Sequence, residues 1–147
     1  MELNTASAII SLAKKLEEDS AKFYEELAQR YTRDRETWLS FVKENGRNIV
    51  QVERTYYGVI TDALEGCFSF RINPDEYAFK TELAENASYS DALDKAFEME
   101  EKIIKFYSDA AEQSKSLLAD IPRAFRMVVN KRNTRKPKLR SLLPEGG

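Results

Sequence analysis

Apolar side chains recur along the start of the chain at Ile9, Ala13, Leu16, Phe23, Tyr24, Leu27 and Tyr31, with the small Ser20 in the same series. Steps of three and four residues place them on one face of an α-helix. The pattern predicts a helix over about 5–31, with Thr5 as its N-cap. A second series (Trp38, Phe41, Val42, Asn45, Asn48, Ile49, Val52, Tyr56, Val59, Ile60, Leu64) predicts a helix over about 34–65. Asp34 is its candidate cap and Gly66 its stop. Gly46 and Gly58 each weaken it by about 1 kcal/mol relative to alanine. The link Thr32-Arg33-Asp34 is short enough to make the first two helices antiparallel neighbours. A third series (Leu93, Ala96, Phe97, Glu100, Ile103, Ile104, Tyr107, Ala110, Ala111) predicts a helix over about 90–118, capped by Ser90. A fourth runs over about 122–135, with Pro122 in its first turn. Pro137 is expected to end it and to push Lys136 out of helical geometry.

Residues 66–89 lack this period. Asn73-Pro74-Asp75 marks a turn, and residues 75–85 leave room for one short helix. The whole piece reads as a crossover, and residues 136–147 read as a basic tail that turns leucine-rich. The order is helix, short turn, helix, long crossover, helix, short turn, helix. It predicts an all-α fold: a ferritin-like four-helix bundle with one long crossover between helices 2 and 3, in a single domain over 1–147.

Composition narrows the chemistry. The 147 residues are 42% hydrophobic, enough for one core and too few for two ordinary domains. With 5 Gly and 4 Pro, the chain lacks the turn-formers of a β-sandwich or barrel. There is no histidine, which removes the commonest general base and the commonest transition-metal ligand. The single cysteine, Cys67, excludes an intramolecular disulfide and a four-cysteine metal or iron–sulfur centre within one chain. It reads as a quiet structural thiol, because no nearby charge pattern lowers its pKa. No apolar run approaches a membrane span, and Met1-Glu2-Leu3-Asn4 does not begin a signal peptide. A cytoplasmic protein without membrane contact is expected.

Two segments repeat. Glu17-Glu18-Asp19-Ser20-Ala21-Lys22-Phe23-Tyr24 and Glu100-Glu101-Lys102-Ile103-Ile104-Lys105-Phe106-Tyr107 share Glu-Glu, three residues, then Lys-Phe-Tyr, and suggest a duplicated helical hairpin. Glu17 lies one turn after Ala13 and seven residues before Tyr24, on the apolar stripe. Glu100 holds the same place relative to Ala96 and Tyr107. An inward carboxylate is costly unless paired, protonated or metal-bound. The bland alternative is that both lean to solvent at the stripe's edge, as the neighbours Glu18 and Glu101 are expected to do.

The doubled Glu…Phe-Tyr pattern over roughly residues 5–135 resembles the rubrerythrin branch of the ferritin-like family. The resemblance implies that two helices each give a Glu followed by that Tyr. The other two would each give a Glu-x-x-His pair, and the set would hold two irons. Glu17 and Glu100 match. Counting from Trp38, Phe41 and Val42, the second helix puts Asn45 and Asn48 in the paired positions. Counting from Phe125, Val128 and Val129, the fourth puts Arg132 and Arg135 there. A second register aligns Asn130-Lys131-Arg132-Asn133 with Asn45-Gly46-Arg47-Asn48; hydrophobic spacing prefers the first. Asparagine binds first-row metals weakly and arginine cannot ligate at all. The expectation is a degenerate site with no cofactor, in which Arg132, with Arg47 or Arg135, balances Glu17 and Glu100 in place of iron.

Three functions follow as expectations. The first is a structural or regulatory protein, not an enzyme, acting as a homodimer or higher homo-oligomer. The alternative is a non-haem metal oxidoreductase handling peroxide or oxygen, with Glu17, Glu44, Asn48 and Glu100 as an all-oxygen site binding Fe or Mn weakly. The third rests on charge. Net charge is −2, yet Arg123, Arg126, Lys131, Arg132, Arg135, Lys136, Lys138 and Arg140 follow one another without an intervening acid. Such a segment either neutralises the acidic remainder or docks on an anion such as nucleic acid.

Overall fold

A computed structural model describes residues 2–59, 70–115 and 120–142. Within them the chain is all-α: its only β pairing is a single bridge, Leu3 with Ile72. Helix α1 spans Ala6–Arg30. Thr5 caps it, its Oγ1 accepting from the Ala8 N–H at 3.2 Å. A 3-10 turn at Thr32–Asp34 leads directly into α2, Arg35–Val59, so Asp34 belongs to the connector rather than acting as a cap. It accepts a hydrogen bond from the Tyr89 hydroxyl instead. Trp38 is fully buried on α2, and its ring stacks on Tyr24 of α1 with centroids 5.8 Å apart. The stretch expected to continue this helix to 65, and Cys67, lie outside the described residues.

The described part of the crossover, residues 70–88, is less helical than expected. In place of a helix over 75–85 there is one 3-10 turn, Pro74–Tyr77, opened by Asn73 Oδ1 accepting from the Asp75 N–H. Tyr77 anchors it, packing edge-on against Phe106. The extended backbone before it is clasped to the N-terminus: Leu3 donates to the Ile72 carbonyl at 2.7 Å, and the Asn4 amide donates to the Phe70 carbonyl at 3.0 Å. These bonds satisfy backbone groups that a buried irregular segment would otherwise leave unpaired.

Helix α3 spans Tyr89–Ser114, starting earlier than expected because Ser88, not Ser90, is the cap. Ser88 Oγ accepts from the Asp91 N–H, and the Asp91 carboxylate accepts from the Ser88 N–H, each at 3.0 Å. This reciprocal box needs an acceptor three residues on. Ser90 would have Leu93 there. Helix α4 spans Asp120–Asn133, and α5 spans Arg135–Ser141. Pro137 therefore does not end a helix, and Lys136 is helical. The chain breaks at Thr134 instead, and Pro137 falls in the first turn of α5, where a missing N–H costs nothing. What the sequence suggests is a free basic tail is, up to Leu142, a short helix that buries Leu139.

The four long helices share one core. Helix α1 packs on α2 and α3, and α4 packs on α2 and α3. No helix among the described residues is long and apolar enough to cross a membrane. Loss of the Ser88 hydroxyl removes the box at the start of α3. Ser88→Ala is expected to lower the unfolding free energy by about 1 kcal/mol, read from the urea midpoint.

Candidate functional site

At mid-height the apolar stripes of the four helices give way to polar groups, all of them shut off from solvent. Glu17 on α1, Asn45 and Asn48 on α2, Glu100 on α3 and Arg132 on α4 are each 0% exposed, and Arg135 at the start of α5 is 1% exposed. Helical spacing alone turns Glu17 and Glu100 inward, since each continues a row that contains an alanine one turn earlier. The small Ala13 and Ala96 leave room around them.

The guanidinium of Arg132 lies between the two carboxylates. Its Nη2 donates to Glu17 Oε2 at 2.6 Å and its Nη1 to Glu100 Oε1 at 2.7 Å; Nε reaches Glu17 Oε1 at 3.3 Å. Arg135 takes the other side of Glu100, with Nη1 donating to Oε2 at 3.1 Å. Its Nη2 also donates to Asn45 Oδ1 and to Glu44 Oε1, both at 2.7 Å. Arg135 stacks over Phe41, 4.8 Å from the ring centre. The break at Thr134 aims Arg135 at this spot from a second helix.

The repeat shows itself in a crossed pair of tyrosines. Tyr24, on the helix of Glu17, donates to Glu100 Oε2 at 2.5 Å. Tyr107, on the helix of Glu100, donates to Glu17 Oε1 at 2.9 Å. Asn45 Nδ2 is held by Ser20 Oγ at 3.1 Å. Asn48 Nδ2 reaches Glu17 at 3.4 Å, and its Oδ1 has no partner among the described residues.

Charge balances inside: two carboxylates against two guanidiniums, with Glu44 at the rim, 30% exposed. Burial by itself would raise the Glu100 carboxyl, but the charges of Arg132 and Arg135, with hydrogen bonds from Tyr24 and Arg132, outweigh it and hold the group below the usual carboxylate range. Burial pushes the Tyr24 and Tyr107 phenols well above 10, and the facing carboxylates push the same way, so both stay protonated donors. Burial opposes the Arg132 charge, yet Glu100 and Glu17 more than restore it.

Other expected site residues lie elsewhere. Arg47 does not approach the carboxylates; it is exposed on the opposite face of α2. Glu44 pairs with Arg135 and does not join Glu17 and Glu100 in an all-oxygen set. The basic segment is not one surface. Arg132 and Arg135 point inward, Arg123 pairs with Asp120 at 3.6 Å, and Lys131 donates to Gln51. Arg126 faces a groove with Glu112, and Arg140 covers Phe97. Lys136 is half-buried and Lys138 exposed. Sequence reasoning missed the crossing of the tyrosines to the opposite glutamates, and missed Ser20 as the holder of Asn45. A small polar residue in an otherwise apolar series was the available signal.

The iron pair implied by the rubrerythrin resemblance does not fit these residues. Four of the carboxylate oxygens it would use face guanidinium or phenol donors. No group of three or more His, Cys, Asp or Glu able to hold a metal ion occurs among the described residues. The unpartnered Asn48 Oδ1 is a single neutral oxygen. In comparisons with protein-family models, curated proteins and solved structures, the chain matches none.

Breaking the pair from one side strands buried charge. Arg132→Met is expected to cost about 3–5 kcal/mol, and adding Glu17→Gln and Glu100→Gln should recover part of that loss in chemical denaturation. A wild-type midpoint for Arg132→Met would show that the guanidinium does not compensate the carboxylates. The lowered Glu100 pKa also sets an acid limb. Its contribution is fully present above the unfolded value of about 4.3 and disappears as pH falls through the lower folded value. Stability should therefore drop as pH falls from about 4.3 toward that lower value, with a shallower pH slope in Glu100→Gln, as measured by urea midpoints across the acid range.

Proposed function

We propose that this chain is a ferritin-like four-helix bundle with one long crossover, patterned like the rubrerythrin branch, whose di-iron site has been replaced by an ion-pair layer. Its role is structural or regulatory, in a homodimer or higher homo-oligomer, and it carries out no metal chemistry. The observation that supports this reading is the Arg132 guanidinium bonded to Glu17 at 2.6 Å and to Glu100 at 2.7 Å. In a metal protein of this pattern those two carboxylates would be metal ligands. Here an organic cation takes the place of the metal charge, and the crossed tyrosines fill the remaining acceptor sites.

The adjacency of helices supports the same reading. Helices α1 and α3, which carry the repeated motif, touch each other, and each touches one of the two arms that would carry the second ligand pairs. Asn45 and Asn48 on one arm, Arg132 and Arg135 on the other, occupy corresponding places in the repeat. This arrangement binds a metal poorly because a cation would have to displace a guanidinium from both carboxylates at once.

The competing oxidoreductase reading makes the opposite prediction for metal. Protein purified from its native host, and protein dialysed against Fe(II) or Mn(II) without oxygen, should hold far less than one equivalent by elemental analysis. Its thermal midpoint should be indifferent to added metal and to chelator. Stoichiometric Fe or Mn would overturn the proposal.

A further inference from the structure

A groove about 700 Å³ in volume runs between α2 and α4 on the face turned away from the ion-pair layer. Lys43, Arg47 and Arg54 stand along it on α2, and all three are exposed. Their spacing of four and seven residues keeps them on one stripe that spans about 16 Å of helix axis. Lys131 leans in from α4, its Nζ donating to Gln51 Oε1 at 3.3 Å. None of the four pairs with a carboxylate among the described residues. No acid among the described residues lines the groove; in the adjoining hollow that shares Gln51, Arg54 and Thr55, Asp120 pairs with Arg123.

Four cations without a carboxylate partner among the described residues thus line one open groove on a chain of net charge −2. Like charges placed side by side repel, and a groove focuses their field on whatever enters. The groove is not uniformly polar. Val50 is 48% exposed on its wall. A Cβ added at Gly46 would meet nothing within 4 Å, so bare backbone forms part of the floor and a flat group can lie close to it.

We propose that this groove binds a nucleotide: its phosphates lie among Arg47, Arg54 and Lys131, and its base lies toward Lys43, against Gly46 and Val50. Three cations from two helices call for several linked anionic groups, and guanidinium forks match phosphate oxygens two at a time. The volume is that of a small-molecule site, in the range of about 300–1,000 Å³. None of these groups belongs to the ion-pair layer, so the proposal stands or falls independently of the metal question.

The test is a titration of the full-length chain with ATP, inorganic triphosphate and single-stranded oligothymidine at low salt, read by amide chemical shifts and calorimetry. ATP should shift the amides of residues 43–55 and of Lys131. Arg47→Gln and Arg54→Gln should each weaken ATP by about tenfold, as expected for losing one charge-assisted contact. Arg126→Gln, in the separate groove beside Glu112, should leave ATP binding unchanged. Inorganic triphosphate should bind more weakly than ATP. The exposed positions of the substituted side chains predict unchanged circular dichroism. Absence of ATP binding, equal weakening by Arg126→Gln, triphosphate binding as tight as ATP, or oligothymidine binding tighter than ATP would each overturn the assignment.

Discussion

A guanidinium held between two buried carboxylates governs how the helices of this protein can sit together. Arg132 touches α1 and α3 at once, and Arg135 ties α3 to α2 through Glu100, Glu44 and Asn45. Sliding α1, α3 or α4 by a residue would leave a charge in an apolar interior without its partner. That penalty exceeds the cost of most apolar misfits. A wholly apolar layer of similar volume is often no less stable, so stability alone does not account for this one.

The layer is symmetric in its acids and asymmetric in its bases. The repeated motif supplies Glu17 and Glu100, each reached by the tyrosine of the opposite helix. Arginines come from the α4–α5 side alone, while α2 offers Asn45 and Asn48. Charge balance explains the difference. Two internal carboxylates are neutralised by two guanidiniums, and two more cations from α2 would leave buried positive charge unpaired. Neutral amides complete the hydrogen bonding without disturbing that balance. Tyr24 and Tyr107 contribute because burial beside a carboxylate keeps their phenols protonated.

The same partition of charge shapes the outside. Two arginines of the basic C-terminal segment are consumed in the interior, and the others are scattered by the helical turn over several faces. Among the described residues, cations without a carboxylate partner gather instead on the outer stripe of α2, facing Lys131. Thus one face of α2 completes the polar layer and the other borders an open cationic groove.

The amino-acid sequence by itself determined the helices and the inward stripe, because periods of three and four residues report directly on which side of a helix faces the core. Glu17 and Glu100 were legible for the same reason: each interrupts an apolar row at a matching place in a repeat. Local chemistry also carried Thr5 as a cap, but two serines competed for the start of α3, and the choice of Ser88 depended on Asp91 three residues on. Only the tertiary structure decided that Pro137 opens a helix, that Arg135 and not Arg47 enters the core, and that Tyr24 serves Glu100. Those outcomes depend on where the chain breaks at Thr134 and on distances between residues far apart in sequence. A one-dimensional period fixes the face a residue occupies, and it contains no information about what stands opposite.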